Sequence, residues 1–238
     1  MEMYDDVGEC WKDLADALSA GADRILLYGP PGTGKTYAAL HMGVRHGYAE
    51  RLVCTEDLTS AEITGSWMPV GSGRWEWLEG PAIRAWRGVT GHRLVVDEVD
   101  RASGDALSTL LLVTDSSDSA RWRSPETGEW VAPAPDFSVV MTTNAEEMTY
   151  VPEALRDRFP VAIRIDRPHP AALMRLSEDL RAPALYGSVG DGRRLSLRSF
   201  YAFDQLRSTL GSERAAAILF GVRDGQSILD SLRIGHLG

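Results

Sequence analysis

Gly29 to Thr36 reads GPPGTGKT, and this segment is the strongest indication of the fold in the sequence. It follows a short apolar run, Arg24 to Tyr28 (RILLY), and it precedes a helix-compatible segment that starts at Thr36. The order of strand, glycine-rich loop and helix matches the phosphate-binding pattern GxxxxGK[ST] at every defined position. The stretch therefore predicts an α/β fold in which a parallel sheet is flanked by helices.

Each residue type in this loop has a chemical reason to be there. Glycines let the backbone approach phosphate oxygens and turn successive N–H groups toward them, at the positive end of the following helix. Lys35 supplies a point charge for the β and γ phosphates, and the Thr36 hydroxyl is a hard oxygen ligand for magnesium. We assign the nucleotide-binding loop to Gly29, Pro30, Pro31, Gly32, Thr33, Gly34, Lys35 and Thr36.

A second apolar run, Leu94-Val95-Val96, ends in two adjacent carboxylates, Asp97 and Glu98. Ligands of open α/β sheets bind at the carboxyl ends of strands, which is where these side chains fall. We assign Asp97, with Thr36, to the magnesium ion, and Glu98 to the polarisation of the attacking water. Asp100 and Arg101 follow on the next turn and are interpreted as surface residues.

Other strands are predicted at Leu52 to Thr55, Phe137 to Thr143 and Val161 to Ile165, with helices between them. The pattern indicates a three-layer P-loop core at residues 1–166, of which 1–23 form a solvated acidic leader helix. Two hairpins interrupt this core, at 65–80 around Gly71-Ser72-Gly73 and at 121–132 around Pro125-Glu126-Thr127-Gly128. After Asp166 strand signals vanish, and residues 167–238 are predicted to form a small helical lid, with helices at 171–181, 197–210, 213–222 and 228–234.

The composition narrows the function classes. Acidic residues outnumber basic ones by 34 to 25, giving a formal charge of −9, so binding to nucleic acid is possible but not favoured. No run approaches the roughly 18 apolar residues that cross a bilayer, and acids follow Met1 where a signal peptide carries positive charge. We expect a cytoplasmic protein without a membrane partner. Its two cysteines and five histidines show no zinc-binding or disulfide spacing, and no GxSxG motif suggests a serine hydrolase.

The segment TGEWVAPAPDFSVVMTTNAEEMTYVPEALRDRF, taken with GPPGTGKT and LVVDEVD, resembles the dynein-related and MoxR-type branch of the AAA+ ATPases. The resemblance covers about residues 20 to 205, and its motifs occur in family order. It implies that Asn144 is the polar sensor of the γ-phosphate and that Arg156 or Arg158 is an arginine finger for the nucleotide of the adjacent subunit. It also implies a lid arginine at Arg198, for which Arg193 and Arg194 are rivals.

The resemblance further implies an activity: magnesium-dependent hydrolysis of ATP by a ring-forming homo-oligomer, expected to be a hexamer, that remodels or activates a partner protein or adaptor. Two alternatives stay open. One is a nucleotide-switched binding module with slow hydrolysis, and the other is a DNA-linked motor of a restriction or mobile-element system. The tryptophan-rich hairpins either pack against their own domain or grip a partner.

Overall fold

The computed structural model describes residues 8–44, 48–88, 92–186, 188–189 and 193–234. The chain divides into two compact units. The core unit consists of residues 13–29 and 35–164, and the C-terminal unit consists of residues 1–12, 30–34 and 165–238. The leader residues Glu2, Asp5 and Asp6 lie outside the described residues.

The core unit is built on a parallel five-stranded sheet. Its strands are β1 (Arg24–Tyr28), β2 (Ala49–Val53), β5 (Arg93–Asp97), β8 (Ser138–Thr142) and β9 (Val161–Arg164). They are arranged in the order β2-β5-β8-β1-β9. Every residue of β5 is buried, as expected for an interior strand covered on both faces. This architecture confirms the predicted P-loop type of α/β fold.

Helices cover this sheet and bury one continuous apolar cluster, which includes Trp86, Phe137 and Met141. The Trp86 indole Nε1 donates to the Val113 carbonyl at 3.0 Å, so the largest buried ring also satisfies its polar atom. The helices are α2 (Lys35–His41), α3 (Ser60–Thr64), α4 (Pro81–Arg87), α5 (Gly104–Val113) and α6 (Glu153–Arg158), with 3-10 turns at Val99–Arg101 and Met148–Tyr150.

The leader helix α1 (Glu9–Ser19) differs from the solvated helix that its acidic residues suggested. Trp11 and Leu14 are 4% and 1% exposed, so the helix is amphipathic and buries an apolar stripe. The acids Glu9, Asp13 and Asp16 on the same helix led the prediction away from a buried stripe.

Both predicted hairpins are present. The first pairs β3 (Gly65–Gly71) with β4 (Arg74–Glu79), and the second pairs β6 (Trp122–Arg123) with β7 (Trp130–Val131). The chain crosses itself tightly where the first hairpin leaves the core: a Cβ atom on Gly80 would lie 2.4 Å from the Ile63 carbonyl oxygen. Glycine at this crossing is therefore a steric requirement.

The C-terminal unit is mainly helical, but two predictions about it were wrong. The predicted helix at 171–181 is two helices, because Asp204 accepts hydrogen bonds from the backbone N–H and the hydroxyl of Ser177 at the break. Strand pairing also reappears after Asp166. The elements are α7 (Pro170–Leu173), α8 (Glu178–Tyr186), β10 (Ser188–Val189), β11 (Arg193–Arg194), α9 (Leu197–Leu210), α10 (Ser212–Phe220) and α11 (Val222–Ile234).

Candidate functional site

Three neighbouring strands of the core unit deliver polar residues to one edge of the sheet. β1 runs into Gly29, β5 ends at Asp97, and β8 ends at Thr142, two residues before Asn144. Because β5, β8 and β1 are adjacent and parallel, their carboxyl ends meet at the same edge. The sheet order therefore brings together motifs that lie far apart along the chain.

Lys35, the predicted phosphate-binding lysine, lies beside the predicted sensor. Its side chain is buried, and Nζ donates to the Gly29 carbonyl at 2.8 Å and to Asn144 Oδ1 at 3.2 Å. A buried ammonium group needs such polar partners. The contacts link Gly29, the start of α2 and Asn144 after β8 in one polar cluster.

The Asp97 carboxylate is the centre of a second cluster. Thr36 Oγ1 donates to Asp97 Oδ1 at 2.8 Å, Thr142 Oγ1 donates to the same oxygen, and Arg51 Nη2 lies 2.5 Å from Oδ2. Burial raises the pKa of Asp97, but the hydrogen bonds from Thr142, Arg51 and Thr36 outweigh this effect and leave the pKa below its ordinary value. Asp97 is therefore ionised at neutral pH although only 6% of its side chain is exposed.

The donor set at this point suits magnesium. Thr36 and Asp97 offer hard oxygens within hydrogen-bond distance of each other. Mg²⁺ is usually held by one or two protein oxygens together with substrate phosphates. The described residues contain no group of three or more His, Cys, Asp or Glu side chains arranged for a metal ion.

Glu98, the predicted general base, has an unusual backbone. Its φ of 56° lies in the left-handed region, which few non-glycine residues adopt and which is frequent at active sites. Its N–H donates to Thr142 Oγ1 at 3.3 Å, and its carboxylate forms an ion pair with Arg101, whose Nε lies 3.0 Å from Oε2. The side chain is 32% exposed, so water can reach it.

Sequence reasoning missed four residues of this site. Asp100 and Arg101 are exposed but not merely surface residues: Asp100 Oδ1 accepts from Thr143 Oγ1 at 2.6 Å, and Arg101 pairs with Glu98. Thr142 and Arg51 both contact Asp97. The paired threonines before Asn144 were a usable signal, whereas the Arg51 contact depends on β2 lying beside β5.

The two candidate finger arginines on α6 have different surroundings. Arg158 is half-buried, and its guanidinium donates to the Ala154 carbonyl at 3.0 Å and lies 3.9 Å from Asp115 Oδ2. Arg156 is exposed, and its side chain makes no hydrogen bond or ion pair with any residue that the structure describes. The structure thus separates an anchored arginine from one that projects into solvent.

Residues 30–34 of the loop belong to the C-terminal unit, together with the start of α9. The Gly32 carbonyl accepts from the Leu197 N–H at 3.4 Å, and a Cβ atom on Gly32 would lie 2.4 Å from the Cβ of Ser196. Arg198, the predicted lid arginine, is exposed one residue further along α9. Its rivals Arg193 and Arg194 form β11.

The family model of the AAA domain (dynein-related subfamily) matches residues 24–159. The chain belongs to the dynein-related subfamily of AAA domains. The match contains every core motif of the site, from β1 through the glycine-rich loop, Asp97-Glu98 and Asn144 to α6. This AAA protein is therefore a nucleoside triphosphatase, as the resemblance implied.

Comparison with solved structures gives a candidate ATPase from Cytophaga hutchinsonii, 18% identical, with a TM-score of 0.49. The alignment covers 94% of this chain and 71% of that one. No protein of curated function matches the sequence. None of the helices in the described part of the chain combines the length and apolar character needed to cross a bilayer.

Proposed function

We propose that this AAA protein hydrolyses ATP in a magnesium-dependent reaction, at sites shared between the subunits of a hexameric ring, and thereby remodels or activates a partner protein. The observation that carries the proposal is the convergence of Lys35, Thr36, Asp97 and Asn144 through hydrogen bonds at one sheet edge. ATP is the expected nucleotide because the chain is an AAA domain.

Each residue of the site has a separate role in the proposed hydrolysis. Lys35 brings the positive charge of its ammonium group to the phosphate oxygens, and it lies beside Asn144. Thr36 and Asp97 would hold Mg²⁺, which neutralises charge on the phosphate oxygens when it is bound. Glu98 accepts the proton of the attacking water, and the Asn144 amide donates to the γ-phosphate or to that water.

Arg156 is the better candidate for the finger that completes a neighbouring site. A finger acting in trans must leave its own domain and present a guanidinium to another subunit's phosphates. Arg156 is exposed on α6, whereas Arg158 is held by Ala154 and Asp115 within its own unit. We assign Arg156 to the neighbouring nucleotide and Arg158 to the stability of α6.

The lid and the partner surface complete the proposal. We keep residues 1–166 as the nucleotide-binding core, residues 167–238 as the lid, and Arg198 as the arginine that reports nucleotide state to it. Exposed aromatic side chains on the two hairpins support a partner surface, because Trp75 is 60% and Trp130 is 70% exposed. The expected location of the protein is the cytoplasm.

Replacing Glu98 tests the catalytic assignment. We expect Glu98→Gln to bind ATP within a few-fold of the wild type but to release phosphate at least about 100-fold more slowly, the usual size of a general-base contribution. Glu126→Gln, an exposed carboxylate at a hairpin turn, is the matched control and should hydrolyse at the wild-type rate. A Glu98→Gln protein that keeps more than half of the wild-type rate would refute the assignment.

The alternative of a slow nucleotide switch has one observation in its favour, since Arg101 holds the Glu98 carboxylate at 3.0 Å. An arginine in this position competes with the attacking water for the carboxylate oxygens of Glu98. Steady-state phosphate release decides between the two functions. A turnover below about one per hour with tight binding favours the switch, because typical enzymes turn over about ten times per second.

A further inference from the structure

Arg51 reaches the site from a neighbouring strand and not from any nucleotide-binding motif. It lies on β2 opposite Val95 of β5, two residues before the Val53–Asp97 pair at the end of the ladder. Its guanidinium extends along the strand, and Nη2 lies 2.5 Å from Asp97 Oδ2. The ladder register therefore fixes which side chain of β2 can touch the metal-binding carboxylate.

The two partners of this ion pair differ in exposure. The Asp97 side chain is 6% exposed, while that of Arg51 is 46% exposed. A buried carboxylate needs a compensating positive charge. A guanidinium on a long, partly solvated side chain can supply that charge and can also withdraw into water at little cost.

The two oxygens of Asp97 also have different partners. Oδ1 accepts from two neutral hydroxyls, Thr36 and Thr142, whereas Oδ2 faces the cationic Arg51. A divalent cation on Asp97 would lie close to the same carboxylate charge, where it repels a guanidinium. Arg51 and Mg²⁺ therefore compete for one carboxylate.

We propose that Arg51 is a positioning residue that acts through Asp97: it holds the carboxylate in place and sets the affinity of the site for Mg²⁺. This inference rests on the proposed magnesium-dependent function. Removal of the Arg51 charge strengthens Mg²⁺ binding, because the ion no longer has to displace or tolerate a neighbouring cation. A merely structural arginine has no such effect on metal affinity.

A second ion pair that involves β2 provides a matched control. Arg84 of α4 pairs with Glu50 of β2 at 2.7 Å, and the Arg84 side chain is 38% exposed. Like Arg51, it is a partly exposed arginine whose carboxylate partner is mostly buried, but that carboxylate is not Asp97. Arg84→Met therefore reproduces the loss of a β2 ion pair without changing the charge at the metal-binding carboxylate.

The test measures metal binding and not turnover. Variants are made in the Glu98→Gln background, saturated with ATP and titrated with Mg²⁺ in a calorimeter, with thermal unfolding recorded for each. We expect Arg51→Met and Arg51→Gln to lower the Mg²⁺ dissociation constant by roughly tenfold, within the range found for outer-shell changes at metal sites. Arg51→Lys keeps the charge and should stay near the parent, as should Arg84→Met.

An unchanged or weaker Mg²⁺ affinity in both neutral Arg51 variants overturns the inference. So does an equal gain in affinity in Arg84→Met. If the wild-type protein hydrolyses ATP equally with and without Mg²⁺, the proposed magnesium-dependent function fails and the inference falls with it. Hydrolysis by the wild type and Mg²⁺ affinity of the Arg51 variants thus distinguish the two failures.

Discussion

At the scale of single residues, the site depends on burial that the sequence cannot show. Lys35, Thr36 and Asp97 were predictable because their motifs specify both the residue and its place after a strand. Arg51 was not, because its role depends on β2 pairing with β5 across 46 residues of chain. The same long-range packing sets the chemistry of a cysteine that no motif contains.

The surroundings of Cys54 predict that its thiol reacts slowly in the folded protein. Burial and the nearby carboxylates of Asp100, Asp97 and Glu98 raise the pKa of its thiol to about 12. A raised pKa keeps the thiol protonated at pH 8, whereas an unfolded cysteine, with a pKa of about 8.5, is then partly thiolate. In a Cys10→Ser protein, we expect a thiol reagent at pH 8 to label Cys54 at least about 100-fold more slowly in the native than in the denatured state.

The denatured protein is the control for reagent reactivity in that measurement. Native labelling at the denatured rate, in protein shown to be folded by circular dichroism, would contradict the described environment of Cys54. Loss of protection in an Asp97→Ala variant would show that the site and the end of β2 loosen together.

At the scale of secondary-structure elements, local sequence patterns predicted the strands of the sheet and the two hairpins. They did not predict the break between α7 and α8 or the backbone crossing at Gly80. The turn residues Gly71-Ser72-Gly73 were enough to predict the first hairpin. The break between α7 and α8 could not be predicted, since it depends on Asp204, which lies 27 residues after Ser177. Short pairings such as β10 with β11 carry too few residues for a periodic signal.

The backbone crossing at Gly80 predicts that a side chain at this position destabilises the protein. A Cβ atom there would meet the backbone of Ile63 and Gly65 at 2.4 to 2.8 Å, and backbone atoms cannot rotate away as a flexible side chain can. We expect Gly80→Ala to lower the free energy of unfolding by about 1–3 kcal/mol, the usual cost of overpacking. Chemical denaturation measures this difference.

Gly8→Ala is the control for that substitution, because a Cβ atom on Gly8 meets nothing within 4 Å. It should change stability by less than about 0.5 kcal/mol, as surface substitutions usually do. Equal stability of the Gly80→Ala and wild-type proteins would show that the hairpin base is looser than described.

At the scale of the whole molecule, the sequence predicted the fold class and the family because its motifs occur in a fixed order along a β-α pattern. The strand order β2-β5-β8-β1-β9 was not available from periodicity, since any parallel order gives the same apolar runs. The proposed association of subunits also belongs to the level of the whole molecule. The proposed role of Arg156 is therefore testable only between subunits.

Assemblies that mix two inactive variants test whether sites are shared between subunits. Glu98→Gln subunits keep an intact Arg156, and Arg156→Ala subunits keep an intact Glu98, so a mixed ring contains complete shared sites. We expect mixtures of these two inactive proteins to regain phosphate release. Glu98→Gln mixed with Lys35→Ala should stay inactive, because both changes disable the subunit's own half of the site. Co-assembly without any recovery in the first mixture would argue against Arg156 acting in trans.

The proposed chemistry requires that Lys35, Thr36 and Asp97 together bind a magnesium-bound nucleoside triphosphate. Calorimetric titration of Mg·ATP into the wild-type protein and into Lys35→Ala, both shown to be folded, tests it most directly. We expect saturable binding near one nucleotide per chain for the wild type, and a loss of at least about tenfold in affinity for Lys35→Ala, the change that 1.4 kcal/mol produces. Absence of binding by the wild type, or equal binding by both proteins, would contradict it.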